Sequence, residues 1–420
     1  MATGIPSGRK GPRARGAALL TVMVSVAVLT AMAVELAYSS RVSLQIAANA
    51  RDELRASYLA RGGVALGRLV LSFQEQLDAA VPRGAAGIPR VQLWNLVPVG
   101  PILTDTLFSG SGPLAAADSA AAEQRAATTT FDAKIEDEGR KVNAQLDGFI
   151  TGADVKVQQN AQALYQVMCD ARWDPLFDRE DSRGQRSTRE DVLARLRDWA
   201  DDSTSSAQLR LAGGSSAPCG LVIGQPPFVD AFGDKNAPYD RGEERYKTKN
   251  AHMDSRDELY LVAGIGDAFM AAFGDALTVY LPRDAKQNVN GLDKPGLVLL
   301  AMRMADPAGQ PALLDPEFAE RLAKLVEERT FGGMLSLTPK EMGALVEASG
   351  VRVNANLLAD TNTNNPFTDR STTFRIRASG KAGVVTSTID AVVRMGEQQQ
   401  QQQAGGQLAQ PGRIIHWREE

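Results

Sequence analysis

Apolar and polar positions divide the chain sharply at its start. Residues 1–16 are polar, basic and rich in Gly and Pro, whereas Ala17 to Val34 read AALLTVMVSVAVLTAMAV without a charge before Glu35. About 20 apolar residues cross a hydrocarbon core of ~30 Å, so this run is just long enough for one transmembrane helix. The helical pattern continues to about Leu77. Tyr58, Leu59, Val64, Leu66, Leu69, Val70 and Phe73 recur near the 3.6-residue period, which predicts an apolar stripe packing the distal half of one long helix onto a globular body.

Later segments change period. FDAKIEDEGRKVNAQL (Phe131–Leu146) reads as a hairpin turning at Gly139, with Ile135 and Val142 on one side. In Thr372–Met395, Phe374, Ile376 and Ala378 alternate with polar residues, a turn is expected at Gly380–Gly383, and Val384 to Val393 returns. RIIHWRE (Arg413–Glu419) reads as a closing strand, separated from that hairpin by a low-complexity loop around Gln398–Gln403. Between them VQQNAQALYQVMCDA, TREDVLARLRDWADD, SRDELYLVAGIGDAFMAAFG and PEFAERLAKLVEERT have helical periodicity. The fold class is therefore α+β. Its parts are a leader (1–16), a membrane and amphipathic helix (17–77), an α/β body (78–153 and 346–420) and an inserted helical domain (154–345). The stretches Arg83–Ala127 and Ser203–Pro238 are rich in Gly, Pro and Ser and predict little regular structure.

Charge narrows the partners. The formal charge is −4, and loss of Arg9, Lys10, Arg13 and Arg15 with the leader lowers it by four to −8. That balance argues against nucleic acid, whose binding needs a basic surface. The same four residues hold the N-terminus in the cytoplasm and send the body outward, making a single-pass inner-membrane protein with a periplasmic domain. Export places the two cysteines, Cys169 and Cys219, in an oxidising compartment. They either close a loop of about 50 residues or stay as two buried thiols; neither lies in a CxxC, which disfavours metal ligation.

A secretory signal places its small-residue cleavage site after the apolar run. Here Gly16–Ala17 precedes it, so cleavage is expected between them. A basic leader ending in Gly, followed by an ALLTV-type helix, resembles the type IV pilin and type II secretion pseudopilin superfamily. Most members carry Glu at the fifth position after cleavage. Thr21 stands there in this chain, which resembles the minor pseudopilin K (GspK) family, where that Glu is missing. The segment Glu136–Asn143 is similar to the family's E-D-E-x-x-K-x-N pattern, and Ala285–Asn290 to its x-x-x-N-x-N pattern, although Gly291-Leu292 replace the usual T-A. The resemblance implies a pilin-like antiparallel sheet behind the helix, an N-methylated mature Ala17, and a place at the tip of the secretion pseudopilus. The implied partners are the other minor pseudopilins (H, I and J types), the inner membrane, and an exoprotein substrate or the outer-membrane secretin.

Candidate chemistry is sparse. His252 and His416 are the only imidazoles, and no nucleophile motif, P-loop or G-x-G-x-x-G is present, so no active site and no enzyme is predicted. LVAGIGDAFMAAFG resembles a helix-hairpin-helix turn, but Asp267 stands where a phosphate would sit, so a structural turn is expected. Asp360–Pro366 (DTNTNNP) starts like an EF-hand loop but has Asn365 at the sixth position and Ser371 at the twelfth; an Asn-rich turn fits better. Asp198, Asp201, Asp202, Asp240, Glu243 and Glu244 bracket one long loop. Its similarity to the calcium region of the pseudopilin K family implies a Ca²⁺ site on Asp201, Asp202, Glu243 and Glu244, since Ca²⁺ takes six to eight oxygens in irregular geometry. The alternative is a solvated acidic rim with Arg241 and Arg245 as ion-pair partners. At the level of the whole chain, the alternative is a signal-anchored periplasmic ligand-binding protein or enzyme unrelated to pili.

Overall fold

The computed structural model describes residues 13–80, 90–96, 129–146, 155–177, 180, 184–212, 220–221, 225–240, 245–306, 311–359, 362, 364–396 and 412–420. Helix α1 (Arg13–Ala80) is continuous over 68 residues, about 100 Å at 1.5 Å per residue. Its N-terminal part is long and apolar enough to cross a membrane, and none of that span is covered by the rest of the chain. The helix meets the body from Asp52, beside Gly383, and is first fully buried at Ala56, so from Glu35 to Arg51 about 25 Å of it stands free as a stem.

After α1 come β1 (Arg90–Val91), β2 (Thr129–Asp137) and β3 (Val142–Asn143). Helices α2 (Val155–Val167) and α3 (Arg189–Ala200) lead to a ribbon of β4 (Ser205–Leu209) and β5 (Phe228–Asp234), and then to α4 (Asp267–Phe273). Strands β6 (Leu277–Thr278) and β7 (Gln287–Asn288) precede α5 (Lys294–Met304), α6 (Phe318–Thr330), β8 (Leu335–Ser336) and α7 (Pro339–Ala348). The last elements are β9 (Phe367–Thr368), β10 (Thr373–Ala382), β11 (Val385–Arg394) and β12 (Arg413–Glu419). Local chemistry sets the helix starts. Thr188 with Asp191 and Thr338 with Glu341 form capping boxes at α3 and α7, and Asp293 caps α5.

The fold is α+β. A four-stranded antiparallel sheet, ordered β12-β11-β10-β2, packs one face on the distal half of α1. Two further cores lie in the helical part: Leu164, Leu193, Trp199 and Phe273 centre one, while Leu300, Phe318, Met342 and Val346 centre the other. The second continues through α7, across residue 345, as far as Phe367. The Gln-rich loop lies outside the described residues.

Three sequence expectations need correction. The first concerns residues 131–146, which do not form a hairpin. β2 pairs with β10, and β3 leaves the sheet to pair in parallel with β6. The cause is a single 3-10 turn at Glu138–Arg140, capped by Asp137, which swings the chain away from β2.

The second concerns α1. Of the expected stripe, Val64 is buried and Leu66 and Val70 pack beside it, but Tyr58, Leu69 and Phe73 face outward, and Ala56, Ala60 and Leu71, outside the stripe, are buried. Helix and sheet approach so closely that small residues win the interface. A Cβ at Gly63 would stand 3.0 Å from Ala378 Cβ, and one at Gly380 would stand 2.2 Å from the Ala56 carbonyl oxygen. Thirdly, Gly380 and Lys381 therefore stay in the strand, and the hairpin turns at Gly383-Val384. Gly383 takes φ +61°, the left-handed value that a two-residue hairpin loop demands at its first position.

Gly380→Leu should thus lower unfolding stability by at least ~2 kcal/mol, because the new side chain meets backbone rather than a yielding side chain. Tyr58→Ala, on the exposed face, should change it by less than ~0.5 kcal/mol. Urea unfolding of the full chain in detergent checks both; equal losses would refute the small-residue interface.

Candidate functional site

The junction between sheet and helical part is built from buried charge. Asp137 ends β2, and its carboxylate accepts hydrogen bonds from Gly139 N and from Asn288 Nδ2 of β7, both at 2.7 Å. Glu138 is fully buried; its Oε1 accepts from Lys141 Nζ at 2.7 Å and lies 3.1 Å from Arg375 Nε on β10. Arg375 in turn lies 3.6 Å from Asp390 on β11, and its guanidinium sits 5.5 Å from the Tyr280 ring centroid. Burial pushes the Lys141 ammonium below its usual range. Burial also opposes the charge on Arg375, yet Glu138 and Asp390 together hold it above its usual value. Asp137 is pushed up to about 6 by burial, against the hydrogen bonds from Ser371, Asn288 and Gly139.

This junction explains the quoted motifs. In Glu136–Asn143, the acids and Lys141 form the charge cluster, while Asn143 Nδ2 donates to the Leu281 and Pro282 carbonyls at 3.3 Å. In Ala285–Asn290, Asn288 binds Asp137, and Asn290 exchanges two hydrogen bonds with the Leu337 backbone at 2.9 and 2.7 Å. The parts missed from sequence are Arg375 and Asp390. They read as ordinary outward-facing strand residues, because the helical part that covers that face lies far away along the chain.

The acidic corner has a different make-up from the expected one. Asp201 caps the end of α3 and is buried; its Oδ2 lies 3.1 Å from Arg197 Nη2, and its carbonyl accepts from Lys235 Nζ at 2.6 Å. Asp198 accepts from Ala207 N at 3.0 Å and from Arg197 at 3.1 Å. Asp202 is exposed, and Asp240 pairs with Arg245 at 3.7 Å. Glu243, Glu244 and Arg241 lie outside the described residues. Among the described residues no three His, Cys, Asp or Glu side chains are grouped to hold a metal ion. Asp201 Oδ1, however, is buried without a hydrogen-bond partner. Trp199, Tyr239 and Tyr246 pack tilted or edge-on with centroids 5.3–6.2 Å apart.

The remaining candidates are structural or incomplete. Gly264 takes φ +95°, and a Cβ there would meet Ser187 and Val192 at 2.9 Å, so the GIG turn is packed against α3. Asn362 and Asn365 accept from Asn364 N and Phe367 N at 2.9 Å, giving an Asn-rich turn; Asp360 lies outside the described residues. His416 packs tilted against Tyr280, ring centroids 5.2 Å apart, and burial lowers its pKa. Cys169 follows α2 and is disulfide-bonded; Cys219 lies outside the described residues. Backbone at Gly16 and Ala17 is helical, and Thr21 Oγ1 donates to the Ala17 carbonyl at 2.9 Å.

These parts define an α+β chain with one membrane-length helix, an antiparallel sheet on that helix and a helical insert. No protein-family model and no curated protein matches the sequence. Among solved structures the chain resembles one in the crystal structure of the GspK-GspI-GspJ complex from the type 2 secretion system of enterotoxigenic Escherichia coli. Identity is 12%, the TM-score is 0.47, and the match covers 89% of this chain and 98% of that one. The functional reading rests on this chain's own geometry.

The Asp137 site generates a signed pH dependence. Its folded value lies above the ordinary 3.8, so folding favours the protonated acid. The resulting stabilisation is complete below about pH 4 and is lost as pH rises through about 6. Asp137→Asn removes the titration, so relative to wild type it should gain roughly 2–3 kcal/mol between pH 4 and pH 7. Urea unfolding across that range reads the difference; a pH-independent gap would mean that Asp137 stays ionised throughout.

Proposed function

We propose that this protein is a minor pseudopilin of the tip type: anchored by α1 in the inner membrane, with its body in the periplasm, it helps to initiate a secretion pseudopilus with partner minor pseudopilins. The observation that carries this reading is α1 itself. One unbroken helix combines an uncovered membrane-length segment with a distal half that backs an antiparallel sheet. Thr21 supports a terminal position in the assembly. Its hydroxyl is satisfied by its own helix, so it offers no charge to the amine of a neighbouring subunit. The helical insert adds bulk that would hinder a further subunit stacking above.

Processing follows from the same reading. The leader is removed after Gly16, Ala17 becomes the mature and N-methylated terminus, and Cys169 pairs with Cys219. Gly16→Val should leave the precursor uncleaved. Intact-mass analysis of envelope protein, alkylated without reductant, checks all three points. A terminus beyond Ala33 or an intact Met1 refutes the pseudopilin reading, and two alkylated thiols refute the bridge.

Calcium is part of the proposal. What supports it is the buried Asp201 Oδ1, which has no hydrogen-bond partner, although Arg197 holds Asp201 Oδ2 and the described residues gather no three candidate ligands. Glu243 and Glu244 would complete the set, and the ion would offset carboxylate repulsion and stabilise the fold. At ~100 times Kd it contributes about 2.7 kcal/mol. Chelation should therefore lower the Tm and added calcium restore it; Asp202→Ala with Glu244→Ala should abolish the response, and Asp360→Ala should not. A Tm indifferent to chelator in protein shown to be calcium-free leaves only an acidic rim.

A further inference from the structure

The GIG turn before α4 borders a cavity that the pseudopilin reading does not use. Its volume is about 440 Å³, within the range of ~300–1,000 Å³ found for ligand pockets. The wall runs along the turn from Val262 to Asp267 and is completed by Phe177, Glu180, Tyr246 and Tyr260. The two glycines of the turn differ in role. Gly264 is packed against α3, whereas Gly266 has an ordinary φ of −133° and a Cβ there would meet nothing within 4 Å. The space in front of Gly266 is therefore open.

The lining carries charge of one sign. Glu180 and Asp267 are exposed, and among the described residues neither carboxylate has an ion-pair or hydrogen-bond partner. No Lys or Arg is among the described residues that line the cavity. Two arginines touch lining residues from elsewhere and are already committed. Arg195 Nη1 donates to Ser187 Oγ at 2.6 Å and to the Ala263 carbonyl at 3.1 Å. Arg189 Nε donates to the Met168 carbonyl at 2.6 Å, and its guanidinium sits 4.6 Å from the Phe177 ring centroid. Asp267, in the first turn of α4, offsets the positive end of that helix, and Glu180 leaves the site net negative.

The aromatic part of the wall favours a cation as well. Tyr260 is 45% exposed and has no ring partner among the described residues, while the Tyr246 hydroxyl donates to the Leu261 carbonyl at 2.8 Å. A cation over a tyrosine face is attracted by the ring quadrupole, and a guanidinium, planar and weakly hydrated, takes that place more often than an ammonium. Beside Tyr260, Leu261 is 46% exposed, so the rim is apolar. A free guanidine would leave this rim in water, whereas a chain carrying an arginine between apolar residues would cover it.

We propose that the cavity is a docking site for an arginine side chain borne on an apolar segment of a partner protein. Glu180 and Asp267 would take the guanidinium, Tyr260 would stack on it, and Leu261 would meet the flanking residues. The site is independent of the calcium proposal and does not require the pseudopilin assignment.

The test uses the full chain in detergent micelles and fluorescein-labelled heptapeptides with a Leu–Arg–Leu centre, read by anisotropy. Companion peptides replace the arginine with citrulline, which has the same shape without the charge, or with leucine. The arginine peptide should bind with a Kd below about 1 mM, and both companions at least about tenfold more weakly. Unlabelled acetyl-arginine amide should displace it only at roughly tenfold higher concentration or more, because it lacks the apolar flanks. Gly266→Leu, which puts a side chain into the open space, should weaken the arginine peptide at least about tenfold. Glu180→Gln with Asp267→Asn should cost about tenfold, and Tyr260→Ala roughly threefold. These positions are exposed, so an unchanged Tm is expected and certifies the variants as folded. Absence of binding by the arginine peptide overturns the proposal, as does equal binding of the citrulline or leucine peptide. Binding indifferent to both Gly266→Leu and Tyr260→Ala places the peptide elsewhere and overturns it too. Equal potency of acetyl-arginine amide overturns the protein partner in favour of a free guanidine.

Discussion

At Gly380 a hydrogen atom occupies a position from which any side chain would run into the backbone of α1, and the rest of the body depends on the closeness this permits. With Gly63, Ala56 and Ala60 opposite, the sheet lies against the helix almost without intervening side chains. Phe374, Ile376 and Ala378 of the sheet pack with Val64 and Leu71 of the helix, while Tyr58, Leu69 and Phe73 turn outward. A helix that buries its small residues and exposes Tyr58, Leu69 and Phe73 presents apolar area to whatever stands beside it. The contact that holds the monomer together thereby also decides which surface remains for others.

The second organising element is ionic. Glu138, Lys141, Arg375 and Asp390 come from three separate stretches and meet where the helical part joins the sheet. Buried ion pairs of this kind add little net stability, because desolvation offsets their attraction, but they penalise any arrangement that leaves one charge without its partner. We read the cluster as a device that fixes the orientation of the insert. Asp137, Asn288 and Asn290 extend it with hydrogen bonds into the α5–α7 unit. The acidic corner at Asp198 and Asp201 follows a similar logic on a smaller scale, with Arg197 as the central cation.

Much of this organisation was legible in the amino-acid order. A charge-free run of apolar residues has few alternatives to a membrane helix, and the alternation in Thr373–Arg394 has few alternatives to a hairpin. Helices with a Thr cap and an acid three residues on, as at α3 and α7, declare their own starts. What escaped depended on distant contacts. The side of α1 that meets the sheet was legible in part: Val64, Leu66 and Val70 of the expected stripe pack there, but Ala56 and Ala60 went unnoticed because hydrophobicity favours large residues whereas close packing favours small ones. The partner of β2 was missed because hairpin logic assumes the nearest strand, and one 3-10 turn at Glu138–Arg140 defeats it. Arg197 carries no local signal that marks it, although in the fold it is buried among carboxylates.

The pairing of β2 with β10 has a consequence for biogenesis. Asp137 lies opposite Phe374, so the pair of β2 and β10 closes a loop of more than half the chain. A growing or translocating chain cannot form that pair until almost its whole length has emerged, and loop closure of this span is entropically slow unless the intervening segment is already compact. The helical insert, with two cores of its own, is suited to collapse first and bring its ends together. Until then β2 would wait as an unpaired strand, which is the interval in which a chaperone or a partner subunit has most to gain by binding it.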